Sequence, residues 1–137
     1  MDTRSVADEL RAYFDTHSEG IVCAWLFGSV ARGAARPDSD VDVAVLCERD
    51  PPPTLDASAT AMGGDIEAAT GLPVDLVIMN RAPVDLIHRV LRDGVLLVEQ
   101  DRDARVRFEV KARNEFFDLK PHLDRYRRVA ERDHGRS

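Results

Sequence analysis

Two seven-residue runs, Ile21–Phe27 (IVCAWLF) and Val41–Cys47 (VDVAVLC), constrain this chain more than any other feature. Both are dense in apolar, β-branched and aromatic residues, so both read as strands. The segment between them, GSVARGAARPDS, is rich in glycine and small residues and contains Pro37, which marks a turn region with room for one helical turn over 30–32. The flanking sequence supplies cover for a sheet. Val6, Leu10, Tyr13 and Phe14 form a helical stripe that Gly20 ends. After Pro51-Pro52-Pro53, Leu55, Met62 and Ile66 fall at helical spacing over 54–70, weakened by Gly63-Gly64 and stopped by Gly71.

A third strand is expected over 72–79. A short helix should follow, with Pro83 in its first turn, Ile87, Val90 and Leu91 inward and Gly94 past its end. Residues 95–98 suit a marginal fourth strand. From Asp103 to about Arg132 the pattern is a long charged helix or helix pair. Val106, Val110 and Phe117 lie on one line, Phe116, Leu119, Leu123 and Tyr126 lie farther along, and Pro121 should kink or split it. The tail ERDHGRS is expected to fray. This order predicts an α/β (α+β) domain with a mixed sheet covered by helices. At 137 residues the chain holds one core, read as a domain over 1–100 with a C-terminal helical extension over 101–137.

Composition narrows the classes of function. A net charge of -6 disfavours a protein that coats nucleic acid, since such binding relies on Lys and Arg neutralising phosphates, although it leaves room for a local basic patch. Cys23 and Cys47 lie in apolar runs without metal-ligand spacing and read as core. Trp25, alternating with Cys23 and Phe27, also reads as core. His17, His88, His122 and His134 are scattered and suit surface or capping roles. The start, MDTRSVADELRAYFD, is unlike a signal peptide, and no apolar run approaches the ~20 residues that span a bilayer. A cytoplasmic protein without a membrane role is expected.

The polar residues of the central segment carry the chemistry. Asp40 and Asp42 are one residue apart at the start of a strand, so both carboxylates face one side, their Cα atoms ~6.5 to 7 Å apart. Two flexible carboxylates at that spacing can converge on metal ions ~3.5 to 4 Å apart, the arrangement of two-metal phosphoryl chemistry. Oxygen ligands without His or Cys favour Mg²⁺, with Mn²⁺ as a substitute. Asp75, in PVDLVIM, is a third acid; buried in that apolar run it would need a partner, and a metal is one. Gly28-Ser29 follows the first strand directly, where exposed N–H groups and the hydroxyl can hold phosphate oxygens. Each part also has a plain reading: the Asp pair as a turn or solvated edge, Asp75 as a strand-edge acid or salt-bridge partner, and Gly28-Ser29 as a turn.

In order, Gly28-Ser29, ten residues, Asp40-Val41-Asp42 and a later strand acid resemble the signature of the DNA polymerase beta-like nucleotidyltransferase superfamily. The fuller string GSVARGAARPDSDVDVAV is similar to its minimal nucleotidyltransferase (MNT) branch. The resemblance runs from Leu26 to Met79. It implies a mixed-sheet palm and transfer of a nucleoside monophosphate from a nucleoside triphosphate, with two Mg²⁺ ions. It matches Gly28 and Ser29 to phosphate-gripping positions, Asp40 and Asp42 to metal ligands, and Asp75 to the third metal-binding carboxylate, which helps activate the acceptor hydroxyl. Arg32 and Arg36 are placed either to steady phosphates or as solvated charges.

Chain length, the ARG of the first motif and the ending EFFDLKPHLDRYRR resemble the MNT antitoxins of HEPN/MNT toxin–antitoxin pairs. That likeness implies a HEPN ribonuclease toxin as partner, ATP as donor and a toxin tyrosine as acceptor of AMP. With one helical tail after residue 100, no second domain is left to hold a tRNA or template duplex, so stable nucleic-acid binding is not expected. Two alternatives stand beside this reading: transfer to a small-molecule hydroxyl, and an antitoxin that acts by stoichiometric binding without catalysis.

Overall fold

The computed structural model describes the backbone of residues 2–50 and 55–134, and the side chains of 2–50, 59–122 and 125. Pro51-Pro52-Pro53, the last three residues of the tail and the side chains of Leu55, Leu123, Tyr126 and His134 lie outside the described residues. The chain runs α1 (Thr3–Thr16), β1 (Ile21–Phe27), α2 (Gly28–Ala31), β2 (Val41–Cys47), α3 (Leu55–Thr70), β3 (Val74–Ile78), a 3₁₀ turn (Met79–Arg81), α4 (Val84–Asp93), β4 (Val95–Glu99) and α5 (Arg102–His134). The strands form one mixed sheet in the order β3-β2-β1-β4. β1 is antiparallel to both β2 and β4, while β2 and β3 run parallel.

The two apolar runs take the two central positions. A central strand has its backbone hydrogen bonds met on both edges and its side chains covered on both faces, which explains near-continuous apolar sequence instead of alternation. On one face Ala24, Leu26, Val41, Val43 and Val45 pack with Leu10 and Phe14 of α1 and Ile66 of α3. On the other, Cys23, Trp25, Ala44 and Leu46 pack with Ile87 and Val90 of α4 and Ala112 of α5. Trp25 is core as expected. So is Cys23, whose thiol burial pushes up to about 12, leaving it protonated and unreactive at neutral pH.

The termini of the elements have local causes. Asp2 caps α1 by accepting hydrogen bonds from the Ser5 N–H (3.1 Å) and hydroxyl (3.0 Å), which holds the Asp2 carboxyl below its ordinary range. Pro83 and Gly94 flank α4 as the sequence suggests. β3 is shorter than the expected 72–79, because Met79 leaves the strand for a 3₁₀ turn. There Asn80 continues the pairing with its side chain, which accepts from Cys47 N (2.8 Å) and donates to Cys47 O (3.0 Å).

α5 is one helix of 33 residues, continuous through Pro121 and not split there. Proline leaves a backbone hydrogen bond unmade, and the helical turns on either side carry the ladder past the gap. Arg105 anchors the start of α5 by pairing with Glu99 at the end of β4 and, at 2.8 Å, with Glu109. Among the described residues no helix is long and apolar enough to cross a membrane.

Phe14 has no exposed surface and joins α1 to the sheet. We expect Phe14→Ala to cost about 3–5 kcal/mol of stability, read in urea unfolding as a lower midpoint with an unchanged slope.

Candidate active site

The Gly28-Ser29 pair sits where β1 ends. Gly28 turns the chain into α2 with φ +76°, a left-handed conformation that favours glycine. A Cβ there would lie 2.1 Å from Asp42 Oδ2 and 3.0 Å from its carboxyl carbon. The backbone conformation favours glycine here, and any side chain added at this position would have to displace the Asp42 carboxylate. The short α2 is held by Thr3, whose hydroxyl donates to Val30 O, and by Ala34 N donating to Ser29 O (2.9 Å).

Strand pairing brings the acids together. Phe27 is the register partner of Asp42, and Asp42 is the register partner of Asp75 on the parallel neighbour. Register partners on adjacent strands point to the same face, ~4.8 Å apart along the hydrogen-bonding direction. That face is the one α4 and α5 cover farther along, where Ala44 and Leu46 continue the side of Asp42. Asp40 stands one residue before β2 begins, exposed, while Asp42 is half-buried. Asp75 is exposed, which corrects the expectation that burial would force a partner on it: β3 is an edge strand, so water reaches its carboxylate directly.

Electrostatics single out Asp42. Its carboxyl is raised above the ordinary range, first by burial, then by the negative charges of Asp75 and Asp40, with Arg32 opposing. The ionised form is uncomfortable there, and a cation among these oxygens would relieve it. The donors are all oxygen, as a hard divalent ion requires. Among the described residues no three acidic, His or Cys side chains close on a common point, so the site is a face of carboxylates and not a cage.

Beside this face lies a cleft of roughly 370 Å³. Gly28, Ser29, Arg32 and Asp42 form one wall, and Leu86, Arg89 and Asp93 of α4 form the other. Arg32 is exposed at the C-terminal end of α2 and acts electrostatically on both Asp42 and Asp93. Arg36 is exposed in the following loop and does not line the cleft. Asp75 does not line this cleft; with Val74 and Leu76 of the edge strand it borders a separate hollow beside Gly63, Gly64 and Glu67 of α3. The α4 wall has no counterpart in the sequence reading. Arg89 and Asp93 are four residues apart on an ordinary amphipathic helix, and only the packing of α4 on β1 turns that pair toward Gly28.

The family model described as Polymerase beta, Nucleotidyltransferase matches residues 8–103. A minimal nucleotidyltransferase structure is 34% identical, covering 69% of this chain and 95% of its own, with a TM-score of 0.50. A toxin–antitoxin structure with AMP-PNP shares the fold at 23% identity and a TM-score of 0.69, covering 93% of this chain and 96% of its own. The tri-AMPylated Shewanella oneidensis HEPN toxin in complex with MNT antitoxin includes a chain that shares it at 21% identity and a TM-score of 0.64, covering 96% and 97%. No curated protein matches this chain.

Two outcomes follow from the geometry. Gly28→Ala should destabilise the protein by at least about 1–2 kcal/mol through its φ alone, read by thermal unfolding. For Asp42 the folded value lies above the unfolded one, so its contribution is most favourable at acid pH and is lost as pH rises through the raised folded value. Asp42→Asn should therefore melt above the unsubstituted protein at pH 7 in metal-free buffer, and the gap should close below the ordinary carboxylate range.

Proposed function

Since this chain belongs to the Polymerase beta nucleotidyltransferase family, we propose that it is an antitoxin that silences a HEPN-type ribonuclease toxin by AMPylation. AMP passes from ATP to a tyrosine hydroxyl of the toxin: the hydroxyl oxygen forms the new bond to the α-phosphorus, the bond to the β-phosphate bridge breaks, and pyrophosphate leaves. The observation that carries this reading is the register pairing of Asp42 with Asp75 beside Gly28. Acidic oxygens beside a glycine turn support a triphosphate site there.

In this reading each residue has a task. The N–H groups at Gly28-Ser29 and the Ser29 hydroxyl grip the outer phosphates, because a left-handed turn at a helix start leaves donors facing outward. Arg32 and Arg89 flank the cleft and balance phosphate charge from its two walls. Asp40, Asp42 and Asp75 would hold Mg²⁺, with Mn²⁺ as a substitute. Two ions bound there would neutralise charge on the phosphoryl group and on the departing oxygens. Asp75, exposed at the edge, lies on the side open to an acceptor and helps draw the proton from the incoming hydroxyl. Residues 1–100 carry the reaction, and the extension 101–137 offers the partner-binding surface. ATP and a toxin as substrates put the protein in the cytoplasm. The structural neighbours seen with AMP-PNP and with a tri-AMPylated toxin support the choice of donor and acceptor.

The decisive measurement is intact mass spectrometry of the protein encoded beside this one, after co-expression with the unsubstituted chain or with Asp42→Ala. We expect one or more AMP increments with the former and a loss of at least about 10²-fold with the latter. No increment in either case would overturn the reading. Protection of cells by Asp42→Ala at equal expression would point instead to neutralisation by binding.

A further inference from the structure

The packing of α5 on α4 leaves a groove on the side away from the sheet. One part is a hollow of roughly 600 Å³ whose lining includes Asp85, His88, Arg89, Arg92, Phe116 and Lys120. It adjoins a second hollow of roughly 230 Å³, where Leu91, Phe116 and Phe117 supply apolar walls and Arg113 stands at the side. His88 and Phe116 stack face to face, ring centroids 3.6 Å apart and 2° from parallel, and make a flat aromatic floor. Phe117 is 66% exposed. The groove borders the cleft, since Arg89 lines both.

Its charge is opposite to that of the molecule. Against a net -6 for the chain, the groove collects Arg89, Arg92, Arg113 and Lys120 around one acid among the described residues, Asp85. Arg92 is paired with Asp93 at 2.8 Å. Among the described residues Arg89, Arg113 and Lys120 have no ion-pair partner. Unpaired cations beside an exposed aromatic surface suit a ligand that brings carboxylates and an aromatic ring together.

We propose that this groove docks an acidic segment of the acceptor protein, an aromatic side chain entering the apolar hollow and flanking carboxylates meeting Arg113 and Lys120. The proposal rests on the protein-acceptor reading above, and adds where and by what chemistry the acceptor is held. Docking there delivers the neighbouring part of the acceptor to the cleft through Arg89. A peptide fits better than a nucleic-acid strand. A strand sets one phosphate after another, and Asp85 in the groove with Asp93 beside Arg92 would interrupt such a track, whereas spaced carboxylates can avoid both.

Equilibrium binding tests this without turnover. The full chain is titrated into a fluorescein-labelled random copolymer of glutamate and tyrosine, followed by anisotropy at two salt concentrations. We expect salt-sensitive binding that Arg113→Glu/Lys120→Glu weakens about tenfold or more, and that Phe117→Ser also weakens. Arg107→Glu, an exposed α5 substitution outside the groove, should change it little. Binding of ATP should be unaltered in all three variants, since none of these residues lines the cleft. Equal weakening by Arg107→Glu, or no effect of the double variant, overturns the proposal. So does tighter binding of a single-stranded RNA oligomer that the double variant abolishes, which would make the groove a nucleic-acid site. Absent AMP transfer with groove binding intact would sink the functional reading and leave the docking site standing.

Discussion

The contact between the Asp42 carboxylate and the Cα of Gly28 is the constraint on which the site depends. Gly28 adopts a left-handed φ there, a side chain in its place would push the Asp42 carboxylate away, and the pairing sets the end of β1 against the start of β2. Because Asp42 is also in register with Asp75, the same contact sets the distance between the glycine turn and the acidic face. Nothing about this arrangement favours the fold by itself. Burial and two neighbouring negative charges make the ionised Asp42 unfavourable, a cost of the kind that functional sites retain and the rest of the structure offsets.

What offsets it is the pair of central strands and the helices on both faces. β1 and β2 bury nearly every side chain, and each face has its own apolar cluster. α4 serves two ends at once. Its Ile87 and Val90 cover Trp25 and Ala44, while Leu86, Arg89 and Asp93 turn toward the cleft. α5 packs on α4 in turn through Phe108, Ala112 and Phe116, so the position of Arg89 depends on a second helix behind α4. A change in the α4–α5 packing would therefore reach the cleft by moving one of its walls.

Much of this was legible before any coordinates, and particular residues show why. Ile21–Phe27 and Val41–Cys47 were legible as strands from their apolar, β-branched and aromatic density, whereas their central places in the sheet came only with the strand order. Gly28, Ser29 and Asp42 were legible because their chemistry is local: a turn directly after a strand and an acid within an apolar run. Asp75 was legible as an acid but not in its surroundings, since exposure depends on β3 being an edge strand. Of the two effects expected of Pro121, a kink or a split, the split does not occur, because a local rule about helix breaking does not weigh the length of helix on either side of it. Arg89 gave no sign at all.

The sequence by itself determined the elements, the two core strands and the ordered set Gly28, Ser29, Asp40, Asp42 and Asp75, because local propensity, turn chemistry and apolar spacing act over a few residues. Only the tertiary structure decided that Asp42 lies against Gly28 and opposite Asp75, that α4 closes the cleft with Arg89, and that α5 lays a cationic, aromatic groove beside it. Those facts rest on strand register and helix packing between segments tens of residues apart. Such contacts are set by the shape of the whole core, which no short stretch of sequence records.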